Sequence, residues 1–181
     1  MQRGNDWLSE GDFSLEHAMQ SITESLFYSR AIDTWQVSQN VGTEKQNGVL
    51  LGDAGEPTTN GAWEIQTPDP QGRGIYGPYI DLQANSYRAT FRLKINDNTG
   101  EDQRLVVLDV TSRKAFKYFA QKTITVRDFV KSNEYQDFIL HFDVFNADKD
   151  FEFRVRTNRD FESKRRVTLA NIKLSVQEKM G

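Results

Sequence analysis

The 181-residue chain contains no cysteine and only two histidines, His17 and His141. Without cysteine it can form no disulfide, thiolate metal site, iron–sulfur cluster or cysteine nucleophile. Two histidines leave little for a histidine metal cage or a proton relay. Catalytic signatures such as G-x-S-x-G, H-E-x-x-H, a P-loop or a Rossmann glycine fingerprint are also missing, so we expect a protein that is not an enzyme.

Long apolar runs are missing as well. No stretch approaches the roughly 18 apolar residues needed to span a bilayer, so we expect no membrane insertion. The first residues lack the apolar stretch of a signal peptide, and we expect no signal peptide in this chain. The localisation stays unknown from the sequence, because a fragment of an exported or cell-surface protein would have the same composition.

The chain does contain enough apolar material to fold, since 37% of its residues are hydrophobic, 12% aromatic and 27% charged. Its net charge of −3 argues against a nucleic-acid partner, and the basic run 164–166 is short and has no interleaved aromatic residues. Charge is uneven along the chain, at −8 over residues 1–70, +1 over 71–150 and +4 over 151–181. This distribution indicates two organisational pieces.

The first piece, residues 1–40, is predicted to be an N-terminal helical segment. Ser14 can cap a helix over 14–35, in which apolar side chains recur at helical spacing: Leu15, Ala18, Met19, Ile22 and Leu26. Residues 36–61 are rich in Gly, Asn, Thr and Asp, which predicts loops around one short strand. The second piece, residues 41–181, is predicted to be a β-sandwich domain.

From Trp63 onward the pattern changes to the period of two that is typical of strands with one buried face. The clearest alternating or wholly apolar segments are 87–95, 105–110, 138–144, 151–155 and 167–176. Residues 96–100 have the composition of a hairpin turn. About eight or nine short strands without long helices between them favour an antiparallel arrangement over a βαβ fold. The predicted fold class is all-β, an antiparallel β-sandwich (jelly roll) with an N-terminal helix.

Residues 74–93, GIYGPYIDLQANSYRATFRL, carry a family resemblance. They resemble the "YGPY…L…G-Y…F-L" segment of bacterial jelly-roll carbohydrate-binding modules, of the type attached to glycosyltransferases and other polysaccharide-processing proteins. The predicted strands downstream follow in a similar order, so the resemblance covers residues 60–177. It implies a jelly-roll fold and non-catalytic binding of a polysaccharide.

Two positions depart from that pattern. Ser86 precedes the strand tyrosine where the modules commonly have glycine, and Ala170 stands where many of them have an aspartate that binds calcium. Because the missing carboxylate removes a hard oxygen ligand, we expect no calcium at this last-strand position and no other cofactor. A second oxygen-rich cluster consists of Asp97, Asn98, Glu101 and Asp102. Its composition is that of an ordinary hairpin, an interpretation we favour over calcium binding.

Sugar recognition by such a module requires an aromatic ring against the C–H face of a pyranose and a few polar groups for its hydroxyls. The predicted carbohydrate-binding residues are the aromatic side chains in or next to predicted loops: Trp35, Trp63, Tyr76, Tyr79 and Tyr118. For each ring the alternative is a structural role at the end of the core. The turn at 76–79 can equally serve to set the register of a strand.

The charged residues of the predicted strands indicate a second candidate binding site. The predicted outward faces of three strands carry Arg88, Arg92, Lys94, His141, Asp143, Glu152, Arg154 and Arg156. If those strands share a sheet, the stripe suits a glycan that bears uronic acid or phosphate. The favoured alternative is a solvated face with cross-strand ion pairs.

The function predicted from the sequence is non-catalytic carbohydrate binding through loop aromatics, with a glycan or polysaccharide as the partner. The alternative is a structural or protein-interaction domain of a larger protein. In that alternative, the N-terminal helix docks a partner or mediates self-association.

Overall fold

The computed structural model describes residues 27–38 and 48–179, which form twelve strands and one 3-10 turn. In chain order the strands are β1 (Phe27–Trp35), β2 (Leu51–Gly52), β3 (Glu56–Pro57), β4 (Trp63–Gln66), β5 (Gly74–Tyr76), β6 (Pro78–Leu82), β7 (Asn85–Ile95), β8 (Arg104–Ser112), β9 (Lys117–Thr125), β10 (Gln136–Val144), β11 (Asp148–Arg156) and β12 (Arg166–Lys179). All of the strand ladders are antiparallel, which confirms the all-β prediction. Over these residues, no helix has the length and apolar character needed to cross a membrane.

The strands form two six-stranded sheets. Sheet I has the order β10–β7–β12–β4–β3, with β1 paired to the C-terminal part of β12. Sheet II has the order β2–β5–β11–β8–β9, with β6 paired to the N-terminal part of β11. From β7 onward, only the β8–β9 connection stays within one sheet, and each of the others crosses to the opposite sheet. This arrangement is a sandwich of the jelly-roll type, as predicted.

The core lies between the two sheets and follows the period-two pattern of the sequence. Phe142 of sheet I has its ring centre 6.4 Å from that of Phe151 and 6.2 Å from that of Phe153, both in sheet II. β8, an interior strand of sheet II, is buried on both faces from Leu105 to Ser112, and this stretch includes the apolar run 105–110. The buried part of this strand contains one charged residue, Asp109, which lies under the outer surface of sheet II.

The predicted helix over 14–35 is wrong for its last nine residues, which form β1. This strand pairs with β12 from Phe27 opposite Lys179 to Trp35 opposite Ile172. Its Tyr, Ile, Thr and Trp residues favour strands, and β12 offers the unpaired backbone that receives them. β1 is thus part of the sandwich. The residues at helical spacing, Leu15 to Leu26, lie outside the described part of the chain, and the docking or self-association role suggested for them stays a prediction.

The prediction of a hairpin turn at 96–100 is also wrong, because this segment connects β7 of sheet I to β8 of sheet II. Its polar side chains hold the crossing in place. The Asp97 carboxylate accepts hydrogen bonds from the Thr99 hydroxyl at 2.7 Å and the Thr99 N–H at 2.9 Å, which lower the pKa of Asp97. Asn98 donates from Nδ2 to the Phe129 carbonyl at 3.0 Å, and its Oδ1 accepts from the Ser132 hydroxyl at 2.8 Å. These oxygen atoms thus serve separate local hydrogen bonds.

Candidate functional site

A cleft of about 260 Å³ lies on the outer face of sheet II, where β8, β9 and β11 meet the turn between β8 and β9. It is lined by Thr111, Ser112, Arg113, Phe116, Lys117, Tyr118, Glu152 and Arg154. The cleft therefore combines two aromatic rings with several hydrogen-bonding and charged groups.

The register of the sheet explains why these side chains share one face. Thr111 of β8 lies opposite Tyr118 of β9 and opposite Glu152 of β11. Residues that lie directly opposite each other on paired strands project to the same side of a sheet. In the same way Asp109 lies opposite Arg154 in the neighbouring row. Two adjacent rows of outward side chains thus form the base of the cleft.

Tyr118 is exposed because β9 contains a bulge. The β8–β9 register shifts between Val110 and Thr111, which leaves Phe119 as an additional residue in β9. The Phe119 ring packs inward, with its centre 4.9 Å from that of Phe151, whereas Tyr118 points outward and is 54% exposed. The Arg154 guanidinium carbon lies 5.6 Å from the centre of the Tyr118 ring. This contact restricts the orientation of an otherwise open aromatic ring.

A buried carboxylate lies beneath the cleft. Asp109 is 0% exposed, and its two oxygens accept hydrogen bonds from Arg154 Nε at 2.6 Å and from Arg156 at 2.7 Å. A buried carboxylate requires such charge-assisted partners, because it loses its hydration shell. Asp109 therefore fixes the position of both guanidinium groups on the outer face of sheet II.

Arg113 connects the cleft to two of the predicted tyrosines. Its Nε lies 3.5 Å from the carboxylate of Glu152, and its guanidinium carbon lies 5.8 Å from the centre of the Tyr79 ring. The Tyr79 ring in turn lies nearly perpendicular to the Tyr76 ring, with ring centres 6.4 Å apart and an angle of 68° between the planes. Burial raises the pKa of Tyr79, and the negative charge of Glu152 raises it further. Tyr79 is therefore a neutral hydrogen-bonding group beside the cleft at neutral pH.

Two aromatic residues, Phe116 on the cleft and the buried Tyr79 beside it, have a left-handed backbone conformation. Tyr79 has φ of 60° and Phe116 has φ of 49°. Positive φ is rare for bulky side chains and is found most often in turns and functional sites. In Phe116 this conformation accompanies a ring that is 94% exposed. An aromatic side chain so exposed on a tight turn contributes little to the core, which is the property expected of a contact residue.

Three of the five predicted aromatic residues lie at or beside this cleft. Tyr118 lines it, and Tyr76 and Tyr79 adjoin it through Arg113. Whether Tyr76 and Tyr118 bind sugar stays a prediction. For Tyr79 the prediction is wrong, because the ring is 4% exposed and offers no open face to a sugar.

The prediction is wrong for the two tryptophans, because both are core residues. Trp63 is 2% exposed, and its indole N–H donates to the Ala54 carbonyl at 2.8 Å. Trp35 is also buried, with its ring centre 5.9 Å from that of Phe153. A ring enclosed by protein offers no face to a sugar.

The predicted charged stripe does not exist as one surface. Arg88, Arg92 and Lys94 lie on β7, and His141 and Asp143 lie on β10, all in sheet I. The remaining three residues, Glu152, Arg154 and Arg156, lie on β11 in sheet II. Within sheet I the expected cross-strand pairs are present, such as Arg92 with Asp137 at 3.0 Å.

Sequence reasoning missed the cleft residues on the β8–β9 turn, above all Arg113, Phe116 and Lys117. The segment RKAFKYF at 113–119 contains three cations and three aromatic rings, in the turn and the first residues of β9. That mixture was the available signal, because the exposed residues of such a turn have no role in a core.

A second cleft, of about 210 Å³, lies on the outer face of sheet I. Its lining includes Glu64, Lys94, Tyr135 and Ala170. The Tyr135 ring is covered by cations there, with Lys94 Nζ 4.8 Å from its centre and the Arg92 guanidinium carbon 5.7 Å away. This cleft offers a sugar less open aromatic surface than the cleft on sheet II. No group of three or more His, Asp or Glu side chains suited to a metal occurs in the described residues.

Fold and cleft together define a β-sandwich domain with a mixed aromatic and charged surface on one sheet. No protein-family model matches the sequence, and no curated protein matches it.

Solved structures similar to this chain include several carbohydrate-binding modules. The C-terminal CBM6 of LamC, a marine laminarinase from Zobellia galactanivorans, is 9% identical, with a TM-score of 0.48 over 79% of this chain and 99% of that chain. A CBM6 module of Cellvibrio mixtus lichenase 5A in complex with cellotriose is 14% identical, with a TM-score of 0.47 over 80% and 96%. A CBM4 module is 14% identical, with a TM-score of 0.49 over 80% and 85%. Likenesses at this level assign neither a ligand nor a binding site to this chain.

Proposed function

We propose that this chain is a non-catalytic carbohydrate-binding domain that holds a polysaccharide in the cleft on sheet II. The observation that carries the proposal is the pair of exposed rings, Tyr118 and Phe116, beside the polar groups of β8 and β11. The rings would stack on the C–H faces of sugar residues, and Thr111, Glu152 and Arg154 would bind hydroxyl groups.

The rigidity of the polar groups supports this proposal. Asp109 holds Arg154, and Arg154 contacts the Tyr118 ring, so both groups are positioned before a ligand arrives. Groups ordered in advance lose less conformational entropy on binding. Because the cleft is open and shallow, affinity at a single site should be modest, and longer chains should bind more tightly than short ones.

The carboxyl groups also favour binding over hydrolysis. The usual glycosidase mechanism requires two carboxyl groups across the scissile bond. Among the described residues that line the cleft, Glu152 is the one carboxyl group, because Asp109 is enclosed beneath Arg154 and Arg156. This arrangement supports a module that binds a polysaccharide without cleaving it.

We expect Tyr118→Ala to weaken polysaccharide binding by about tenfold or more, equivalent to about 1.4 kcal/mol. The melting temperature should change little, because the ring is 54% exposed and outside the core. Binding would be measured by affinity gel electrophoresis against a panel of soluble polysaccharides that includes β-glucan, xylan, mannan, polygalacturonate and a sulfated galactan.

The matched control is Tyr135→Ala, which removes a tyrosine from the cleft on sheet I. It should retain the binding of the unmodified protein. If the Tyr135 variant loses binding while the Tyr118 variant keeps it, the site belongs on sheet I. If the unmodified protein retains none of the polymers, the carbohydrate-binding proposal fails and the protein-interaction alternative gains weight.

A further inference from the structure

The charges that line the cleft on sheet II do not balance. Three cationic side chains, Arg113, Lys117 and Arg154, face it together with one carboxylate, Glu152. The whole chain, in contrast, has a net charge of −3. A local excess of positive charge on an acidic protein attracts anions to that surface.

Asp109 does not remove this excess. It is the shared partner of Arg154 and Arg156, at 2.6 and 2.7 Å, so one carboxylate faces two guanidinium groups. The three groups together therefore keep a net positive charge. The outer face of sheet II thus retains uncompensated positive charge next to the exposed rings.

Arg113 and Lys117 are the cations of the cleft that can contact an anionic ligand. The Arg113 side chain is about half exposed, and its contact with Glu152 is made through Nε at 3.5 Å. The guanidinium also makes a hydrogen bond to the Tyr79 side chain, and its terminal nitrogens are the donors with which such a group binds an oxyanion. Lys117 is an exposed residue of the cleft lining, and its Nζ lies 4.8 Å from the centre of the Phe119 ring. Both cations line the cleft together with Phe116 and Tyr118.

We propose that this cleft selects an anionic polysaccharide, whose sugars carry carboxylate or sulfate groups. The inference rests on the proposed carbohydrate-binding function and adds the class of ligand to it. Arg113 and Lys117 bind the anionic group, while Tyr118 and Phe116 contact the sugar rings. A neutral glycan is disfavoured because it would desolvate these cations and supply no opposite charge.

The test compares polymers that differ only in charge. One pair is polygalacturonate and its fully methyl-esterified form, and the other is a sulfated galactan and its desulfated form. Affinities would be measured by isothermal titration calorimetry at 50 mM and 500 mM NaCl. We expect one anionic polymer to bind at least about tenfold more tightly than its neutral counterpart, with the difference reduced at high salt, where charges are screened. The pair that shows the difference identifies carboxylate or sulfate as the recognised group.

Two pairs of variants distinguish binding by the cleft from attraction by the overall charge of the protein. Arg113→Gln and Lys117→Gln should each weaken binding of the anionic polymer by about three- to tenfold. Their matched controls are Arg92→Gln and Lys173→Gln on sheet I, on the opposite side of the sandwich. Arg92 is a close match to Arg113, because each is about half exposed and has one carboxylate partner. The controls should bind like the unmodified protein, and circular dichroism would verify that all four variants are folded.

Three results would overturn the inference, and one of them would also overturn the proposed carbohydrate-binding function. Equal or tighter binding of the neutral polymers would refute anionic selectivity and leave the carbohydrate-binding function intact. Equal losses in the cleft variants and the sheet I variants would show attraction by overall charge without a specific site. No binding to any of the polymers would refute the inference and the proposed function together.

Discussion

Asp109→Asn is expected to lower the free energy of unfolding by about 3 kcal/mol or more, the range observed when one partner of a buried ion pair is removed. The carboxylate of Asp109 is 0% exposed and accepts from two arginines, Arg154 and Arg156. The amide keeps the shape of the side chain and removes its charge. Two partly buried guanidinium groups are then left close together without the carboxylate that they share, and their mutual repulsion adds to the loss.

The control for this prediction is Asp137→Asn. Asp137 pairs with Arg92 at 3.0 Å across sheet I, with both side chains about half exposed. Loss of an exposed pair should change the free energy of unfolding by less than about 1 kcal/mol. Urea denaturation of both variants at the same pH and salt concentration gives the comparison. Small, similar losses in both variants would contradict the structural role assigned to Asp109.

Trp63→Ala should destabilise the domain by about 3–5 kcal/mol, as expected when a large aromatic side chain is removed from a core. The indole is 2% exposed and donates to the Ala54 carbonyl at 2.8 Å. It also packs against the backbone of β2 so closely that a Cβ at Gly52 would overlap the ring. The substitution therefore leaves a cavity and an unpaired carbonyl, and it loosens the contact between the two sheets at this end of the sandwich.

Thermal and urea denaturation of Trp63→Ala and Phe116→Ala provide the measurement. Phe116 is 94% exposed, so its removal should change the free energy of unfolding by no more than about 0.5 kcal/mol. If Trp63→Ala left stability unchanged and instead abolished polysaccharide binding, the indole would be a ligand contact, as the sequence first predicted.

The strands from β7 to β12 were largely predictable because most of them alternate in hydrophobicity, and that signal is local. β7 and β10 show it most clearly, and both were found where the pattern placed them. β9 was harder to detect, because the bulge at Phe119 interrupts its alternation. β1 was missed for a different reason: its pairing with β12 joins segments far apart in the chain, and no local pattern specifies it.

The candidate site was less predictable than the fold, because it depends on which strands become neighbours. Arg88 and Arg154 have the same outward pattern in the sequence, yet they lie on different sheets. The burial of Trp63 and the exposure of Tyr118 likewise depend on the sheet packing around each ring. Residue type indicated which side chains can contact a sugar, and only the tertiary structure indicates which of them are accessible to one.

The pairing of β1 with β12 has a mechanical consequence. Phe27 lies opposite Lys179, so the two ends of the described sandwich meet at one end of a single antiparallel ladder. A pulling force applied between them acts along the hydrogen bonds, which run perpendicular to the strands, and loads them one pair at a time. Under tension β1 should therefore peel away from Lys179 toward Ile172 at low force. The rest of sheet I and all of sheet II, which carries the cleft, would bear no load until that ladder had opened.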